Sequence, residues 1–150
     1  MTPRLRITLP PNWIDVSDQN PEGPPSYCRG DLDDPGVLQL STAIYEGADS
    51  PNPSAHDLVE LATDGAKSLG PGLLLETDSG TCALGTYGSA TIQIDGGEWA
   101  RVWHASDGRN FVIATLVGRS SHATDEVAQA DQIVKTLTLP AEGKPWWKFW

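Results

Sequence analysis

Five side chains carry the chemistry from which a nucleophile or a metal site would be built: Cys28, Cys82, His56, His104 and His122. Zinc-peptidase histidines stand four apart on one helix face, with a glutamate between them as base. These three are 48 and 18 residues apart and no such motif surrounds them. The cysteines are not a C-x-x-C pair, so neither a zinc knuckle nor a disulfide framework is indicated. They read as two ordinary buried or half-buried thiols, small hydrophobes by packing. One couple stays open, Cys82 with His104, should their strands pair; a third residue would then have to orient the imidazole. No nucleophile elbow, G-x-G-x-x-G or phosphate-loop pattern accompanies it. No catalytic residue, metal ligand or cofactor is therefore assigned.

Asp31-x-Asp33-x-x-Gly36 imitates the start of a calcium loop, but its fifth position is Pro35 and its twelfth Thr42, neither of which supplies the oxygen required there. It reads as a turn. The most unusual cluster is Trp146, Trp147, Phe149 and Trp150, four large rings within five residues, flanked by Lys144 and Lys148. Each ring buries ~150–250 Å² when it docks, and tryptophan is a favoured interface anchor. Left exposed, such a group invites aggregation. These four residues are the candidate partner-binding site. Two docking modes stay open, back into the chain's own domain or onto another chain or a membrane surface.

The chain that must position these groups has 150 residues, twenty acidic against ten basic, for a formal charge of −10. That field repels phosphate backbones, so nucleic acid is not expected as a partner, while a basic protein surface would be attracted. Hydrophobic residues make up 39 %, too many for a disordered chain, and 15 Gly with 12 Pro disfavour a helical bundle. No window approaches the ~18 apolar residues of a membrane span, and the first nine residues lack the apolar run of a signal peptide. A cytoplasmic protein is expected, with one domain over 1–140 and a tail over 141–150.

Leu5, Ile7 and Leu9 alternate with polar residues and predict a first strand, ended by Pro10-Pro11. Ser26–Arg29 and Val37–Tyr45 predict two more, and Leu73–Glu76 and Thr81–Tyr87 are further candidates. Ser54 sits where an N-cap belongs, with Asp57 three residues on. A helix to Leu69 follows, burying Leu58, Leu61, Ala62, Ala66 and Leu69. A second helix is expected over Asp125–Leu137, capped by Thr124, with Asp125 and Glu126 complementing its dipole. Between the helices, Asp95-Gly96-Gly97 and Asp107-Gly108 predict two tight hairpins and three antiparallel strands over Ser89–Val117. Two-residue loops would set Ile94 opposite Trp99 and Trp103 opposite Val112. One face would then carry Ile92, Ile94, Trp99, Trp103, Val112, Ala114 and Leu116, and the other Ala100, Val102, Phe111, Ile113 and Val117. With both faces apolar, each needs a cover.

The order of "ITLPPNW", a long strand, a capped helix, the meander "EWARVWHASDGRNFVIATLVG" and the closing "EVAQADQIVKTLTL" resembles the Mog1/PsbP-like superfamily, including bacterial DcrB-type proteins. The likeness runs from about Leu5 to Leu139 and is one of pattern. It implies an α+β fold, an α/β/α sandwich whose largely antiparallel sheet is covered by helices on both faces, and roles as a binding partner, assembly factor or adaptor. The expected function is thus a non-catalytic protein–protein interaction module, binding a partner or itself through the aromatic tail. Immunity against a cytosolic toxin, and a small hydrolase or thiol enzyme using Cys82 and His104, are the alternatives.

Overall fold

The computed structural model describes residues 5–19, 21–43, 51–119 and 123–139. Seven strands form one antiparallel sheet: β1 (Trp13–Asp15), β2 (Ser26–Arg29), β3 (Val37–Ala43), β4 (Gly72–Thr81), β5 (Thr86–Ile94), β6 (Glu98–Ser106) and β7 (Phe111–Gly118). Their spatial order is β1-β2-β3-β7-β6-β5-β4. Helix α1 (Ala55–Ser68) connects β3 to β4, and α2 (Ala123–Thr136) follows β7. An antiparallel sheet with two helices is an α+β arrangement.

The capping box of α1 forms as its residue types demand: Ser54 Oγ accepts from the Asp57 amide, and the Asp57 carboxylate accepts from the Ser54 amide. Leu58, Ala62 and Ala66 are buried, whereas Leu61 and Leu69 are exposed, so the buried stripe is narrower than the periodicity predicts. Ala62 and Ala66 pack with Ala90, Ile92, Ala100 and Val102. Small residues bring helix and sheet together most closely at Gly88, where an added Cβ would collide with the Leu58–Val59 backbone.

The larger core gathers Ala130, Ile133, Val134 and Leu137 of α2 with Leu38, Leu40, Tyr87, Trp103, Ala105, Val112, Ala114 and Leu116 of the sheet. Successive residues of β6 thus enter different clusters, Ala100 and Val102 with α1, Trp103 and Ala105 with α2.

Several local expectations are corrected. Residues 5–9 are not a strand. Leu5, Ile7 and Leu9 pack on the α2 core, and one isolated bridge, Arg6 to Thr138, is the pairing there. The short β1 after the prolines takes the sheet edge instead. β4 runs on from Leu73 through Gly80 to Thr81, and the expected strand Thr81–Tyr87 is interrupted by a turn over Cys82–Gly85 before β5 begins at Thr86. α2 starts at Ala123, which places Thr124 inside its first turn rather than at the cap.

Both hairpins have longer loops than the two-residue turns predicted. Asp95-Gly96-Gly97 is a three-residue loop in which Gly96 and Gly97 take positive φ, so Ile94 faces Glu98 and Ile92 faces Ala100. That shift of one moves Ile92 and Ile94 to the α1 side, away from Trp99. At the other hairpin the Asp107 carboxylate accepts from the Arg109 and Asn110 amides, and Ser106 pairs with Phe111. Trp103 consequently faces Ala114 instead of Val112, a shift of two that leaves the faces as expected.

Candidate binding groove between α2 and the β4 edge

Cys82 and His104 are not brought together. Cys82, half-buried just past the end of β4, packs on the α2 core, while His104 Nε2 lies toward Gly65 of α1, 3.8 Å from where a Cβ on that glycine would sit. Burial holds the His104 imidazole below its usual pKa range, favouring the neutral ring. His56 is exposed beside Glu60, 3.0 Å away on α1. Cys28 is a free, half-buried thiol raised in pKa by burial and by the Glu126 charge. Among the described residues no three His, Cys, Asp or Glu side chains are placed to hold a metal ion. His122 and the four aromatics Trp146, Trp147, Phe149 and Trp150 lie outside the described residues.

The notable concavity is a groove of about 470 Å³ between the N-terminal half of α2 and the strands β4–β6. Thr124, Val127, Ala128 and Asp131 give one wall, as residues three and four apart on a helix must. Leu75 and Glu76 of β4 form the other wall, and Trp99 closes the end beside Gly97 and Glu98, where the β5–β6 loop enters β6. Leu75 reaches this position because the β4–β5 register shifts between Leu74 and Glu76. Such a bulge re-aims one side chain.

Under the groove lies a buried arginine. The Arg101 side chain, 3 % exposed, donates from Nη1 to Thr91 Oγ1 at 2.6 Å and from Nη2 to Ser89 Oγ at 2.9 Å. It reaches Glu76 at 3.1 Å and Asp131 at 3.2 Å, and its guanidinium lies 5.3 Å from the Trp103 ring centroid. Asp131 also accepts from Trp103 Nε1 at 2.7 Å. One side chain thus links the β4 wall to the α2 wall through the floor. At the next step along β5, Tyr87 donates to Asp78 at 2.7 Å. This bond holds the Asp78 carboxyl below its ordinary range, while burial and the Asp78 bond push the Tyr87 hydroxyl up.

β4 is the last strand of the sheet, and among the described residues no strand pairs with its outer edge. Leu73 and Leu75 are 65 % and 52 % exposed and Leu74 is exposed between them. A ten-residue edge with three consecutive exposed leucines is a template for strand addition.

The sequence reading missed this site. The triplet Leu73-Leu74-Leu75 is a visible signal, but nothing in its period says that the strand is an edge. Arg101 in an apolar run signals a buried charge in need of acceptors, and its partners come from 25 and 30 residues away. Glu126 is fully buried instead of lying at the solvent side of the helix, with Oε2 accepting from the Gly36 amide at 2.6 Å.

No family model and no curated protein matches the sequence. Comparison with solved structures shows a fold shared with PsbP and with LpqN. The chain is similar to cyanobacterial PsbP (CyanoP) from Synechocystis sp. PCC 6803, with a TM-score of 0.59 and 9 % identity over 93 % of this chain and 94 % of that one. It is similar also to LpqN of Mycobacterium tuberculosis, described as involved in cell envelope biogenesis, at a TM-score of 0.61 and 14 % identity over 92 % and 84 %. A Bacteroides thetaiotaomicron protein gives a TM-score of 0.54 and 16 % identity, with 95 % of this chain spanning 47 % of that one. At such identities the likeness is one of fold. No described helix is long and apolar enough to cross a membrane.

Proposed function

We propose that this chain is a non-catalytic accessory module that binds another protein through the α2–β4 groove and the open β4 edge. The observation that carries this reading is the meeting of an exposed triple-leucine edge strand with an apolar, acid-rimmed groove on one side of the molecule. An edge strand recruits an extended peptide by main-chain hydrogen bonds, and an adjoining groove selects its side chains. The −10 charge favours a basic partner. The separation of Cys82 from His104 weakens the thiol-enzyme alternative, and the fold shared with PsbP and LpqN agrees with an accessory role. In this reading residues 1–140 form one α/β/α sandwich with a helix on each sheet face. The segment 141–150 adds a docking element through Trp146, Trp147, Phe149 and Trp150.

Affinity isolation from the source cells with the wild-type chain and the groove-filling variant Ala128→Arg tests it. Ala128 is exposed on α2, so folding should survive. A partner recovered by the first and lost with the second is the expected result; equal recovery by both, with matched thermal midpoints, rejects the groove.

A further inference from the structure

Resting on that reading, we infer that the groove is occupied, in the free protein, by the chain's own segment 144–150, so that a partner must displace it. Two observations carry this.

The first is complementarity. The groove offers Leu75, Val127 and the Trp99 ring between the carboxylates of Glu76, Glu98 and Asp131, with no lysine among the described lining residues. Among the described residues Arg101 and Arg119 bond these three acids, two cations against three carboxylates. Lys144-Pro-Trp-Trp-Lys-Phe-Trp150 brings four rings, two cations and no acidic side chain.

The second is reach. The described chain stops at Leu139, just past the α2 end at Thr136, and Thr124 to Asp131 is the helix wall of the groove. From Asp131 to Thr136 the helix rises only ~7.5 Å. The six residues 140–145 extend to ~20 Å, enough to turn back around the helix end. The five residues 146–150 then span ~16 Å, against ~10 Å of helix wall.

Amide hydrogen exchange on the full chain, on a chain ending at Gly143, and on the full-length Trp146→Ala/Trp147→Ala/Phe149→Ala/Trp150→Ala variant tests the inference. Docking in cis predicts that amides of Leu73–Thr77 and Thr124–Asp131 exchange about tenfold faster, or more, in both altered forms. The wild-type protection should be the same at low and high protein concentration. Unchanged exchange overturns the inference, and so does protection that grows with concentration beside a dimer in sedimentation. Capture separates this inference from the functional reading. Exchange insensitive to the tail, with capture still abolished by Ala128→Arg, removes the inference alone. Tail-dependent exchange with capture indifferent to Ala128→Arg removes the functional reading and keeps the docked tail.

Discussion

Replacing Arg101 with methionine keeps much of the side-chain volume and removes the charge, so its effect reports on the network under the groove. In the wild type the guanidinium is almost entirely buried, shares Asp131 with the Trp103 indole and satisfies the buried hydroxyls of Ser89 and Thr91. Breaking a buried ion pair by removing one partner costs about 3–5 kcal/mol. The lower end applies, since the Asp131 side chain is 22 % exposed and keeps the Trp103 N–H. The Glu76 arm adds little. That side chain is 63 % exposed, and an exposed pair contributes under ~1 kcal/mol. A loss of about 3 kcal/mol corresponds to roughly 6–12 °C in thermal midpoint at this chain length. Arg101→Lys, which keeps the charge but not the fork, should fall between wild type and Arg101→Met. Urea titrations with a shared m-value measure both. A loss below ~1 kcal/mol for Arg101→Met would refute the view that this network is closed and buried.

Gly88→Ala should destabilise by at least the ~1–3 kcal/mol of an overpacked core, because its Cβ meets the α1 backbone rather than a flexible side chain; a neutral result in urea would mean that α1 sits farther from β5. His104 has a folded pKa held below its ordinary 6.5, so the unfolded chain takes up the proton first. Its contribution is complete above 6.5 and is lost as the pH falls through that value toward the folded pKa. His104→Gln should flatten that part of the stability profile, while the slope set by the depressed Asp78, Asp57 and Asp15 remains below their usual 3.8; a wild-type profile with no slope just under 6.5 contradicts a buried neutral ring. Leu73→Lys, at an exposed edge position outside the groove lining, should shift stability by no more than ~0.5 kcal/mol yet weaken partner capture. Capture unaffected by it would remove the β4 edge from the binding face.

The parts of the fold legible in the sequence are those governed by neighbours along the chain. Ser54 and Asp57 specify the start of α1 because both capping bonds close within four residues. The meander is legible because glycine and aspartate turns separate apolar runs. Its register is less so. Whether two or three residues make the Asp95–Gly97 loop depends on which φ angles Gly96 and Gly97 adopt, and that one residue decides whether Ile92 packs under α1 or α2. Non-local pairing is what a single sequence conceals. Arg101 shows a charge in a strand without showing Glu76 or Asp131, Glu126 looks like a helix-dipole residue until Gly36 is placed against it, and Leu73–Leu75 read as a strand with no sign that β4 ends the sheet.

The claim that the α2–β4 face receives another protein is tested most directly by site-specific photocrosslinking in the source cells. A photoreactive side chain at Ala128 in the groove is compared with one at Asp64, exposed on α1. The account predicts a discrete adduct with one partner from position 128, none from 64, and loss of that adduct when Leu75→Lys is added. Adducts of equal yield and pattern from both positions, or none from 128 while 64 gives one, would contradict it.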